Sequence, residues 1–275
     1  APIISTDSRQ FYRGIPIGTA QPDAEQLQRV EHHFIASHDL MQEFNCGAYE
    51  TEALAKLDEL YRKHDVVVAV GGSGLYIKAL CEGMDSLPEA EPELREELAR
   101  RLRSEGLESL CEELRQRDPA YYEEVDRNNP ARVLRALEVC ISTGLPYSSL
   151  RTGEKRQRPF EIIKLGIDME RERLYERINR RVDVMMQMGL EQEARTVYHL
   201  REYNSLQTVG YREMFDYFDG TISRDEAIEL IKRNSRRYAK RQMTWFRRDE
   251  EIKWVDATNK QIIEEYLDSK ICTLK

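Results

Sequence analysis

The chain has 275 residues, 40% of them hydrophobic and 33% charged, with a formal net charge of -8. That length and apolar content suffice for a large buried core, as one big domain or a domain with an insertion. They exclude a protein that coats nucleic acid through overall positive charge, and no stretch approaches the ~18 apolar residues of a membrane helix. The start carries no basic segment followed by an apolar run, so the cytosol is the expected compartment and no membrane partner is expected. Cys46, Cys81, Cys111, Cys140 and Cys272 are scattered, without the paired short spacings of a zinc site, and read as reduced, mostly buried residues.

Ala1-Pro2-Ile3-Ile4 reads as a short buried strand ending in the polar cluster Ser5-Thr6-Asp7-Ser8. A stretch punctuated by Gly14, Gly18 and Pro22 precedes a helical pattern over Ala48 to Lys63. Asp65 then leads into Val66-Val67-Val68-Ala69-Val70-Gly71-Gly72. A β-branched run flanked by helices and closed by glycines suits a central parallel strand, buried on both faces, whose carboxyl end is where α/β sheets hold ligands. From Pro92 to Leu150 the pattern is helical and charged, interrupted by Gly106, Asp118-Pro119 and Asn129-Pro130, each followed by a new helix start. Ile162 to Ile167 is the next strand. Arg171 opens a long helix with Leu174, Ile178, Val182 and Met185 at helical spacing. A further helical stretch passes Gly189, another helix runs from Arg224 to about Arg247, Ile252 to Val255 offers a closing strand, and an amphipathic helix follows. Buried strands alternating with helices give an α/β fold class with a helix-rich insertion.

Three segments carry chemistry. Asp7 follows a strand beside two hydroxyls, a position for a carboxylate that accepts a proton; the same pattern also fits an ordinary cap or turn. Gly71-Gly72-Ser73-Gly74-Leu75-Tyr76 leaves backbone amides and the Ser73 hydroxyl to face an anion at a helix start, or forms only a tight turn. Between Arg224 and Arg248 nine cations outnumber Asp225, Glu226 and Glu229, and Lys240, Arg241, Trp245 and Arg247 mix charge with an aromatic ring. That combination suits phosphate contacts and base stacking on RNA, or a solvated helix face.

In this order, Asp7 to Gly14, Ile17 to Ala20, Gly71 to Tyr76, Asn129-Pro130 with Arg132 to Glu138, Thr208 to Glu213, and Lys240 to Arg247 resemble the tRNA dimethylallyltransferases, also called tRNA isopentenyltransferases, essentially end to end. The resemblance implies transfer of a dimethylallyl group from its diphosphate to N6 of the adenosine 3′ of the anticodon, in tRNAs reading codons that start with U. By position, Asp7 matches the carboxylate that accepts from the adenine amine, Ser73 stands where many members have threonine, and Arg212 is assigned to the diphosphate leaving group. Ser8, Arg9, Gln10 and Arg95 match tRNA contacts. So do Ala131, Arg132, Val133, Leu134 and Arg135, and the loop of Gln207, Thr208, Val209, Gly210, Tyr211 and Arg212. Lys240, Arg241, Gln242, Met243, Thr244, Trp245, Phe246 and Arg247 match a tRNA-binding helix. Gln21 replaces the usual lysine.

The implied fold is a P-loop NTPase-like parallel sheet with helical insertions. Its core covers residues 1–88, 128–180 and 226–275, and the insertions, over 89–127 and 181–225, clamp tRNA. Implied partners are the tRNA anticodon stem-loop, dimethylallyl diphosphate and Mg²⁺, with a monomer expected. The family carries a first strand and Walker A-like loop ahead of the segment that begins here at Ala1. No G-x-x-x-x-G-K-[ST] occurs in the sequence, and omission of that portion is the expectation. Competing readings are an enzyme prenylating free adenylate, a tRNA-binding remnant without activity, and a nucleotide kinase.

Overall fold

The computed structural model describes residues 1–85, 87–88 and 91–273; the expected boundary at Glu89 lies outside them. The chain packs as two compact units, Ala1–Cys81 with Arg158–Lys275, and Glu82–Gln157.

In the first unit β1 (Ile3–Ser5) lies between β2 (His32–His33) and β3 (Val68–Val70) in a parallel sheet, Ile3 standing opposite both His32 and Val68. Between β1 and β2 runs the short helix α1 (Ala24–Arg29). The helix α2 (Cys46–Tyr61) starts two residues before the expected Ala48, because the Asn45 side chain accepts the Gly47 and Ala48 amides and caps it there. Its buried face presents Tyr49, Ala53, Leu57 and Leu60. Phe11 stacks on Tyr49 at 5.3 Å and meets Phe44 edge-on at 5.2 Å, so the segment after β1 is pinned by aromatic packing.

The apolar run at Val66 to Val70 was expected to be a central strand buried on both faces. Instead β3 is an edge strand of the three, with Val68 and Val70 41% and 52% exposed, because among the described residues only β1 pairs with it. Gly71 and Ser73 then lead into α3 (Gly74–Glu82). A separate parallel pair, β4 (Leu165–Asp168) and β5 (Lys253–Asp256), supplies the later expected strands. β4 starts after Lys164, whose ammonium is held at 2.7 Å by both Asp249 and Glu251 at the entry to β5.

The remaining helices of this unit are α9 (Arg171–Met188), α10 (Leu190–Val197), α11 (Tyr211–Phe218), α12 (Arg224–Phe246) and α13 (Lys260–Thr273). Gly189, at φ 104°, separates α9 from α10. The stretch 181–225, expected as an insertion, contributes Val182, Leu190, Ala194, Leu206, Tyr211 and Phe215 to the same core as Ile4 and Phe11.

The second unit is the helical array α4 (Pro92–Glu105), α5 (Leu107–Arg117), α6 (Pro119–Glu124), α7 (Pro130–Thr143) and α8 (Tyr147–Leu150). Asp118 and Asn129 each cap the helix that follows, accepting the Tyr121 and Arg132 amides. Residues 130–150 were expected with the catalytic core. They pack here because Val133, Ala136 and Leu137 of α7 bury against Leu98, Leu110 and Leu114. Among the described residues no helix is long and apolar enough to cross a membrane. Among the described residues the cysteines form no disulfide, and only Cys111 and Cys140 are buried.

Candidate active site

The end of β1 turns sharply at Asp7. Thr6 N–H donates to Val70 O at 2.8 Å, the last rung of the β1–β3 ladder, and the Asp7 carboxylate then accepts the Arg9 amide at 2.9 Å in a local turn. Asp7 N–H donates to Ser5 Oγ at 3.2 Å, while the Ser5 carbonyl accepts from the Tyr49 hydroxyl at 3.0 Å. Asp7 is therefore both a turn former and a partly buried carboxylate. Burial lifts its pKa above the ordinary 3.8, opposed by the amides of Arg9 and Gln10 and by the Arg9 and Arg181 guanidiniums.

Gly71 permits this turn. A Cβ there would lie 2.6 Å from Thr6 C and 2.7 Å from Asp7 N, both backbone atoms that cannot swing aside. Gly71→Ala is expected to destabilise the fold by about 1–3 kcal/mol, the usual range for overpacking. Chemical denaturation would check this, and a midpoint equal to wild type would show that β1 and β3 can separate without penalty.

Ser73 joins the two strand ends. Its hydroxyl accepts the Ser8 amide at 2.9 Å and donates to Ser8 Oγ at 3.0 Å, so Asp7, Ser8 and Ser73 form one cluster. α12 crosses the glycine turn on one face: the Tyr238 hydroxyl lies near Ser73, Gln242 Nε2 donates to Gly72 O at 2.8 Å, and the Trp245 indole fills the space beside Gly74. Gln242, and Trp245 in part, thus brace the site from within, and Met243 and Phe246 are half-buried. Lys240, Arg241, Thr244 and Arg247 are exposed. Arg247 sits 3.5 Å from Asp168 and over the Trp254 ring, at a cavity of about 460 Å³ beyond the ends of β4 and β5.

Two segments return to this cluster. The Arg9 guanidinium donates to Asn204 O at 2.6 Å, and the Gln10 amide is engaged internally, accepting from Ser5 Oγ at 3.0 Å and donating to Ala20 O at 2.9 Å. Gln21 donates to the Gln10 and Tyr12 carbonyls. In the 207–212 loop, Gln207 donates to Arg201 O, and Thr208 O accepts the Arg212 amide. Gly210 takes φ 102° and its N–H donates to Glu213 Oε2 at 2.8 Å; Asn234 of α12 donates to Glu213 Oε1 at 2.7 Å. Val209, Arg212, Glu213, Asn234, Arg237 and Arg241 line a cavity of about 270 Å³. Three guanidiniums around one cavity suit a phosphate-bearing ligand.

The description of the family whose model matches residues 10–249 reads IPP transferase. The chain belongs to the IPP transferase family. It is 50% identical over 269 residues to tRNA dimethylallyltransferase 1 of Bacteroides fragilis, covering 98% of this chain and 89% of that one. It is 53% identical over 254 residues to tRNA dimethylallyltransferase 2 of Porphyromonas gingivalis, covering 92% and 85%. The crystal structure of the tRNA isopentenylpyrophosphate transferase of Bacillus halodurans superposes with a TM-score of 0.71 at 37% identity, over 98% of this chain and 88% of that one.

The remaining site candidates lie in the second unit. Arg95 and Arg135 approach Glu138 at 3.9 and 3.1 Å, and Arg135 also donates to Pro88 O. Ala131 and Arg132 are exposed, whereas Val133 is fully buried and Leu134 packs on the helical core, so their side chains serve packing. Sequence reasoning did not single out Glu213, Asn234, Arg237 or Tyr238 as parts of the site; Glu213 entered only as the end of the 208–213 segment and Arg237 only as one of nine cations. Asn234, Arg237 and Arg241 share one helix face, a spacing that could have grouped them.

Proposed function

We propose that the protein transfers the dimethylallyl group of dimethylallyl diphosphate to N6 of the adenosine 3′ of the anticodon in tRNAs reading U-starting codons, giving N6-isopentenyladenosine. The observation that carries this reading is the Asp7–Ser8–Ser73 cluster at the carboxyl ends of β1 and β3, in a chain of this family. The exocyclic amine is a weak nucleophile because its lone pair is delocalised into the ring. A carboxylate accepting from N6–H localises that pair as the N6–C1 bond forms, and the proton passes to Asp7. The C1–O bond breaks, and diphosphate leaves with the electron pair. Arg212, with Arg237 and Arg241 around the same cavity, would stabilise its developing charge.

The parallel strands and the glycine turn support a P-loop NTPase-like core, and β3 has an edge that no strand among the described residues covers. Mg²⁺ is proposed as the companion of the diphosphate. Among the described residues no group of three potential ligands converges, a pattern that fits an ion held mainly by phosphate oxygens and water. The Ser8 and Ser73 hydroxyls would be its protein oxygens, and when bound it would neutralise phosphate charge. The exposed cations Lys240 and Arg241 and the helical unit holding Arg95 and Arg132 are proposed to grip the anticodon stem, offsetting the few kcal/mol of drawing the base from its stack. The site would act on cytoplasmic tRNA, as a monomer.

In the full-length protein supplied with dimethylallyl diphosphate and Mg²⁺, an anticodon stem-loop is expected to gain one dimethylallyl group per molecule, on the adenosine 3′ of the anticodon, by mass spectrometry, while free AMP stays unmodified. Prenylation of AMP alone would replace this reading with an adenylate prenyltransferase; binding of the stem-loop without transfer would make the protein an inactive remnant.

A further inference from the structure

The proposed base and the proposed leaving-group partner are linked through the 15–20 loop by hydrogen bonds and short stretches of backbone. Asp7 N–H donates to Ser5 Oγ, Ser5 Oγ donates to Gln10 Oε1 at 3.0 Å, and Gln10 Nε2 donates to the carbonyls of Ala20 and Thr19 at 2.9 and 3.3 Å. Earlier in the same loop, the amides of Ile17 and Gly18 each donate at 2.8 Å to a different oxygen of the Glu193 carboxylate. The Tyr211 hydroxyl donates to Glu193 Oε1 as well and lies 3.2 Å from Ile15 O. Tyr211 is fully buried, its ring end rests where a Cβ of Gly18 would be, and the next residue is Arg212.

The geometry points to Glu193 as a positioning residue that clamps the 15–20 loop to the start of α11 and so fixes Arg212 relative to Asp7. This rests on the proposed transferase reading. A carboxylate suits the task because it presents acceptors only. Three donors converge on it, and hydrogen bonds to an ionised group are roughly twice as strong as neutral ones. Glutamine keeps the volume but turns an NH2 toward one of the three donors. Alanine leaves two backbone amides and a buried hydroxyl without that acceptor.

The test uses Glu193→Ala, Glu193→Gln and Tyr211→Phe in the full-length protein. Single-turnover transfer to a stem-loop, per titrated active site, is expected to fall on the order of 10²-fold in the alanine variant, the loss a displacement of about 1 Å produces. Smaller losses are expected in the glutamine and phenylalanine variants, and the stem-loop dissociation constant should hold in all three. Hydrogen exchange reads the clamp without activity: amides of both 15–20 and 207–212 should exchange faster in Glu193→Gln and Tyr211→Phe. Rates per active site within twofold of wild type in these two variants, or faster exchange confined to 15–20, would overturn the proposal. An inactive wild type would defeat the transferase reading, and the exchange measurement would still judge the clamp.

Discussion

Asp7→Asn is expected to lower the single-turnover transfer rate roughly 10³-fold, within the range for loss of a general base, with stem-loop affinity nearly unchanged. Asparagine keeps the volume and the Oδ1 acceptor that takes the Arg9 amide at 2.9 Å, so the turn after β1 persists. What disappears is the negative charge and the capacity to take the N6 proton. Because burial raises the Asp7 pKa above 3.8, the wild-type rate should climb with pH and level off above that ordinary value. The variant's residual rate should show no such rise. The same shift acts on stability. A carboxyl that binds its proton more tightly when folded gives the native state more protons between the unfolded and folded pKa values, so stability falls as pH rises through that window. The neutral amide escapes this loss. Asp7→Asn should therefore match or exceed the wild-type melting temperature at neutral pH, with the advantage vanishing in acid. A rate within threefold of wild type would remove Asp7 from proton transfer, whatever the melting curves show.

How much of this could be read along the chain depended on the distance over which each feature is decided. The strand before Asp7, the glycine turn and the helix starts at Asp118 and Asn129 are local: hydrophobic runs, glycines and capping side chains fix them within a few residues. The Ser8–Ser73 pair spans 65 residues, and no local pattern announces it; resemblance to a family brought the two segments together. β3 was legible as a strand but not as an edge, since burial depends on what lies alongside. The face of α7 was legible too, while its neighbours Leu98, Leu110 and Leu114 were not. Composition marked α12 as basic without dividing its faces. Tyr238, Gln242 and Trp245 turn to the glycine loop, while Asn234, Arg237 and Arg241 turn to the cavity. Glu193 gave no signal, because a glutamate beside Gln192 on a short helix looks like any solvated face until its backbone donors are seen.

Arg212→Ala is expected to slow transfer roughly 10²–10³-fold, the loss typical of removing one preorganised donor from developing charge. Gly210 at φ 102° lets the chain enter α11 abruptly, and buried Tyr211 anchors that first turn, so the next side chain emerges from a rigid base. Beside it, the Glu213 carboxylate is occupied by the Gly210 amide and the Asn234 side chain. Arg212, Arg237 and Arg241 share the cavity with no carboxylate ion-paired to any of them among the described residues; Arg241 has only the Tyr238 ring, 5.6 Å away. Like charges gathered in one cavity repel each other, and an arriving anion relieves that repulsion, most strongly when its charge grows as the C–O bond breaks. Arg212→Lys keeps the charge but not the planar fork, so it should recover only part of the rate. The alternative occupant of the cavity is an RNA phosphate, and the variant separates the two. For a leaving-group partner, the single-turnover rate at saturating RNA falls and the salt dependence of stem-loop binding stays as in wild type. For a phosphate contact to RNA, the rate holds, the affinity drops, and the log–log salt slope shrinks by about one.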